Sequence, residues 1–146
     1  MTAHSILCAL IVLLSAAGLA DSLYFTLVQY GRMRPDSRLV PAVCRMRESE
    51  CRSLLDTHYA RVFGFPNSLL GLPFYAFTAL ACALRWTTGS RALLPYALAA
   101  SVAAFLLSAY LVDALIRRLH RRCPLCFLAQ AINGALVVLL AILVAE

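Results

Sequence analysis

Four apolar stretches, residues 5–28, 68–86, 92–116 and 124–145, decide what this chain can fold into. Each is long enough to cross about 30 Å of hydrocarbon, a distance that takes roughly 20 helical residues. Lipid offers no water to backbone amides, so a crossing segment must be a helix or a strand of a closed barrel. Barrel strands alternate apolar and polar residues, whereas these runs are continuous, and the helix is the solution that remains. Composition agrees: 62% of the 146 residues are hydrophobic and 14% charged, too few polar side chains to clothe a water-soluble domain. The sequence predicts an all-α membrane protein. Its architecture is a four-transmembrane-helix bundle, a single domain over 1–146, with a long extramembrane loop at 29–67 between helices 1 and 2.

The first stretch also has a feature of secretory signals, since SAAGLADS offers small residues for cleavage after Ala20. Its leading residues MTAHS carry no Arg or Lys and apolar character resumes at LYFTLV, so a retained span is expected. The 29–67 loop holds seven of the thirteen arginines and four of the seven acidic residues. The other connections are the short TTGSR and RRLHRR. Two spans separate the long loop from RRLHRR, which places both on one side of the membrane, and chemistry is expected there.

Six cysteines stand at 8, 44, 51, 82, 123 and 126. Cys8 and Cys82 fall inside apolar helices, where a thiol is usually a small inert hydrophobe. Cys123 and Cys126 are placed differently, because Pro124 suits the first position of a helix and puts the pair on its first turn. Residues three apart share a helical face, and their α-carbons can come within about 5.5 Å, the usual disulfide separation. The helix N-terminus and the adjacent Arg121 and Arg122 favour a thiolate at Cys123. Cys44 and Cys51, in CRMRESEC, lie among Arg45, Arg47 and Arg52 in the long loop and can also pair. Redox chemistry between two dithiols competes with three other readings. A tetrahedral zinc site prefers two close knuckles, which the six-residue gap fits poorly. Two structural disulfides would include one loop too short to stabilise much. A metal-transfer protein would not need a bilayer-spanning frame.

The ordered set Cys44, Cys51, then FGFPNSLLG at 63–71, SAYL at 108–111 and CPLC at 123–126 before an apolar helix resembles the vitamin K epoxide reductase (VKOR) family. The similarity runs from SLY at 22–24 through nearly the whole last helix, and is greatest to the bacterial branch. The quinone-reducing disulfide-bond protein of proteobacteria carries its CxxC early and its wider pair late, the reverse of the order here. The resemblance implies a membrane thiol:quinone oxidoreductase that oxidises a thioredoxin-like (DsbA-like) partner and reduces ubiquinone or menaquinone. It implies that Cys126 meets the quinone, that Cys123 exchanges with the loop, and that Cys44 and Cys51 shuttle electrons from the partner. Asn67 matches a family asparagine that hydrogen-bonds a quinone carbonyl, and Thr57 falls where many relatives have a serine. Gln130 stands where vitamin-K-acting animal members have a tyrosine, which favours a bacterial respiratory quinone over an epoxide. Many bacterial relatives carry a fused thioredoxin-like domain after the last helix, whereas this sequence ends at Glu146, so a separate redox partner is expected.

From the residues alone, Asn67 is equally a helix cap. Gln130 is a second candidate donor to the quinone. Asp21 and Asp113 are expected near hydrated interfaces, Asp113 paired with Arg117 at i, i+4 spacing. His4, His58 and His120 share no metal-like spacing, and neither a metal nor a nucleic-acid partner is expected. Orientation sets two arguments against each other. Eleven of thirteen arginines lie in the two loops on the cysteine side, which the positive-inside rule assigns to the cytoplasm. Disulfide chemistry and the resemblance place that side outside the cytoplasmic face of the cell (inner) membrane. The alternative of another class is a non-enzymatic cysteine metal-binding or structural membrane protein.

Overall fold

The structure, a computed structural model, describes residues 3–34, 57–62, 64–120 and 123–146. Residues 35–56, and with them Cys44, Cys51 and most of the expected loop, lie outside the described residues, as do Arg121 and Arg122. The elements are α1 (Ala3–Gln29), a 3-10 turn (His58–Ala60), β1 (Arg61–Val62), β2 (Phe65–Pro66), α2 (Asn67–Thr88), α3 (Leu94–Arg117) and α4 (Pro124–Ala145). All four helices are long and apolar enough to cross a membrane, and their ends fall within two residues of the sequence expectation.

The small shifts have local causes. Hydroxyls of Thr87 and Thr88 donate to the carbonyls of Ala83 and Leu84, carrying α2 past Trp86. Gly89, at φ 72°, then ends the helix, and its N–H reaches the Arg85 carbonyl at 3.1 Å. A turn closed by the Leu94 N–H on the Arg91 carbonyl, at 3.1 Å, delays the start of α3.

Helices in lipid gain little from burying apolar surface against one another, so close approach and interhelical hydrogen bonds carry more of the packing. The buried seam of α1 is Cys8, Ile11, Ser15, Gly18 and Ser22, mostly small residues three or four apart, which is the repeat of left-handed packing. It meets Tyr75 and Cys82 of α2. A Cβ at Gly18 would overlap the Tyr75 ring, and one at Gly71 would overlap Ser22, so both glycines are required by proximity. α1 also packs on α4 and α3 on α4, while the α2–α3 side is the most sparsely packed of the four. Ala20, the candidate cleavage point, lies inside α1, with Cys8 and Ile11 upstream of it in the core. Leu13, Leu106 and Val138 are 66%, 62% and 59% exposed, and such residues give the bundle an outer surface suited to lipid.

His4 Nδ1 lies 2.7 Å from Glu146 Oε2, an ion-pair distance when the imidazole is protonated. That contact places the start of α1 and the end of α4 on one face. The opposite face gathers the end of α1, the starts of α2 and α4 and the end of α3, as the sequence predicts for the chemistry. Asp113 and Arg117 pair there at 2.8 Å, both well exposed, as their spacing implies.

Candidate functional site

A cavity of about 220 Å³ opens among the four helices at this face. It exceeds the roughly 150 Å³ that accommodates benzene in an engineered protein core, so a substituted ring fits. Its walls follow helical periodicity. α3 contributes Ala104, Leu107, Ser108, Leu111 and Leu115; α2 contributes Asn67, Leu70, Gly71, Phe74 and Tyr75. These stripes flank the α2–α3 side, the most sparsely packed of the four.

The mouth is framed by the 57–66 segment. β1 and β2 pair antiparallel, Arg61 with Pro66 and Val62 with Phe65, around Gly64 at φ 83°. This hairpin delivers Pro66 as the N-cap of α2 and Asn67 as its first helical residue. No side-chain cap bond is made there, so Asn67 is not the cap; it lines the cavity. Thr57 and Tyr59 line it as well. Arg118 Nη1 donates to Tyr59 Oη at 2.8 Å and its guanidinium lies 5.7 Å from the ring centroid, tying the turn to the end of α3. That hydrogen bond also raises the Arg118 pKa from its already high value.

At the floor, one polar chain crosses three helices. Tyr75 Oη donates to Asn133 Oδ1 at 2.8 Å, Asn133 Nδ2 donates to Ser108 Oγ at 3.1 Å, and Ser108 Oγ donates to Gln130 Oε1. Asp21, Tyr75, Ser108 and Asn133 each lie eight or nine residues from the helix end at the site face, about 12–14 Å at 1.5 Å per residue. They form a single polar layer deep in an apolar bundle. The hydrated position expected for Asp21 is not what the fold provides. Asp21 lines the cavity, and its Oδ1 is buried with no hydrogen-bond partner among the described residues.

The CPLC motif sits as its proline implies. Cys123 is the N-cap of α4, Pro124 opens the helix, and the Phe127 N–H bonds the Cys123 carbonyl at 3.3 Å. The two cysteines differ in environment. Cys126 is half-buried and lines the cavity, whereas Cys123 is fully buried against Tyr24, Leu115 and Leu125. Exchange of Cys123 with any other thiol therefore requires its cover to shift.

The chain thus combines four helices able to span a membrane with a dithiol at a helix start and a ring-sized cavity beside it. The model of the vitamin K epoxide reductase family matches residues 9–141. The chain belongs to that family. Membership implies a membrane thiol–disulfide oxidoreductase. No curated protein matches the chain.

Of the residues singled out in the sequence, the structure brings Cys126, Asn67 and Thr57 to one cavity, with Cys123 beside it. Gln130 is not among the lining residues; it accepts a hydrogen bond from Ser108, which is. Cys44 and Cys51 lie outside the described residues. Sequence reading passed over Tyr75 and Asn133. For Asn133 a signal existed, since an amide seven residues after Cys126 in a helix apolar but for Gln130 shares its face.

Proposed function

We propose that this VKOR-family chain is a quinone-dependent thiol oxidase that forms disulfide bonds in a separate thioredoxin-like protein. The observation that carries the reading is the opening of Cys126 into a ring-sized cavity that faces the sparsely packed α2–α3 side of the bundle. The thiols meet a water-borne partner at the membrane surface while the acceptor arrives through lipid. Ubiquinone or menaquinone, when bound, accepts two electrons and two protons. In this reading Asn67, which lines the cavity, donates to one carbonyl, and Gln130 acts through Ser108 rather than directly.

Electrons pass from the partner to Cys44 and Cys51, then to Cys123 and Cys126, each step being thiolate attack on a disulfide sulfur. Secreted oxidants of the DsbA type lie near −120 mV, and a 30 mV gap is worth about 1.4 kcal/mol, so a modest excess in acceptor potential drives the sequence. The test is to mix the purified protein with a reduced dithiol protein and ubiquinone or menaquinone and follow quinone absorbance. One quinone reduced per dithiol is expected. Stoichiometric zinc bound by the reduced chain, with no quinone turnover, would replace this reading with the metal-binding one.

We further place the cysteine face outside the cytoplasm, where oxidised thiols persist, and assign the arginines around it to thiolates and to an acidic partner surface. Because Glu146 lies at the opposite face, a reporter fused after it is expected to be active only when that reporter works in the cytoplasm. Activity of a periplasmic reporter in that position would reverse the orientation.

A further inference from the structure

Asp21 stands apart from the other aspartate among the described residues. Asp113 is exposed and paired with Arg117, the ordinary situation of a solvated surface acid. Asp21 sits about 12 Å inside α1, eight residues before its end, and lines the cavity. None of the described lining residues is Arg, Lys or His, so none of them makes an ion pair with it. Its Oδ1 is buried with no hydrogen-bond partner among the described residues, so a structural hydrogen bond does not explain that oxygen. A carboxyl group is costly in a bilayer, and one that lines a cavity with neither a cation nor a partner for a buried oxygen among the described residues points to function. Two neighbours show which. Asp21 lies within electrostatic reach of Cys123 on α4 and of Tyr75 on α2, the latter the first member of the polar chain at the cavity floor.

We propose that Asp21 is the proton carrier of the redox step, taking a proton released as Cys123 and Cys126 close their disulfide and delivering it to the acceptor in the cavity. This rests on the quinone reading. The step balances: the Cys123 thiol gives its proton to Asp21 as its thiolate forms, the Cys126 S–H bond breaks, one S–S bond forms, and two electrons and two protons in all leave the dithiol. The acceptor gains the same two electrons and two O–H bonds. Cys126, which lines the cavity, surrenders its proton directly. Cys123, sealed from it, needs an intermediary, and Asp21 passes from carboxylate to acid and back within one turnover. The carboxylate and the acid differ by the one proton to be moved.

The titratable groups facing Asp21 among the described residues are Tyr75 from α2 and Cys123 and Cys126 from α4, with Tyr59 at the mouth; the side chains that α3 presents to the cavity include none. The experiment compares wild type, Asp21→Asn and Asp21→Glu in detergent, with three readouts: quinone reduction against pH, quinone binding, and the infrared difference between dithiol and disulfide forms without quinone. Asp21→Asn is expected to slow quinone reduction by about 100-fold, the lower range for loss of a general acid–base group, and to flatten its pH profile. Asp21→Glu is expected to recover most of the rate. Binding is expected to change less than about threefold, since asparagine keeps the shape, and 100-fold in rate already corresponds to lost proton transfer. A protonated-carboxyl band that changes with the thiol redox state in wild type is expected to be missing from Asp21→Asn. Wild-type turnover in Asp21→Asn, or no carboxyl signal in wild type, overturns the proposal while leaving the quinone reading intact. Equal loss in both variants with quinone binding abolished assigns Asp21 a structural role and overturns it too. A wild-type protein that reduces no quinone overturns the underlying reading itself.

Discussion

Cys126→Ala is expected to abolish quinone reduction, with a loss on the order of 10⁴-fold or more, as for removal of one member of a catalytic unit. The size follows from geometry. Cys126 lines the cavity, while Cys123 is fully buried behind it at the N-cap of α4. Without Cys126 no S–S bond can form across the first turn, and the remaining thiol supplies one electron where the acceptor takes two. The fold should tolerate the change, because removing a small half-buried group disturbs packing by about 1 kcal/mol or less. Thermal melting in detergent should therefore match wild type within a few degrees. A second expected result separates the roles of the two cysteines: the Cys126→Ala protein should accumulate a disulfide between Cys123 and a loop cysteine, visible by mass spectrometry after alkylation. Undiminished quinone turnover in this variant would remove the sulfur relay from the account.

How much of this site was legible beforehand depended on whether a feature is local. The four spans follow from continuous apolar runs, and the placement of Cys123 and Cys126 follows from Pro124, which fixes where α4 begins. For Asn67 both cap and ligand suit FPNS; the β1–β2 hairpin makes Pro66 the cap and leaves Asn67 as the first helical residue, lining the cavity. The burial of Cys123 was not legible, since its cover comes from Tyr24 on α1 and Leu115 on α3, distant in sequence. Nor was the polar chain. Tyr75, Ser108 and Asn133 belong to three separate, largely apolar runs, and only the rotation of each helix about its axis aims them at one another. Helix rotation is set by packing partners, and small residues such as Gly18 and Gly71 dictate it here.

Gly18 makes that dependence measurable. Tyr75 is 4% exposed, its ring lies over Gly18 on α1, and Gly71, four residues earlier on its own helix, lies beside the other ring edge. A methyl group at position 18 would overlap the ring carbons, so the ring or the helix must move. Overpacking of this kind typically costs about 1–3 kcal/mol. The ring has little freedom to yield, because its hydroxyl is held 2.8 Å from Asn133 Oδ1, and breaking that bond strands a buried amide oxygen. Gly18→Ala is thus expected to destabilise the protein by about 2 kcal/mol and to disorder the cavity floor, whereas Gly31→Ala meets no atom within 4 Å and strains only the local backbone. The mechanism is testable by a double-mutant cycle. In a Tyr75→Leu background the clash has no aromatic ring to act on, so the cost of Gly18→Ala should fall by 1 kcal/mol or more, about the coupling expected of residues in contact. An undiminished cost in that background would mean that Gly18 serves the approach of the α1 and α2 backbones and not the seating of Tyr75. The polar layer beneath the thiols would then owe its alignment to some contact other than this one.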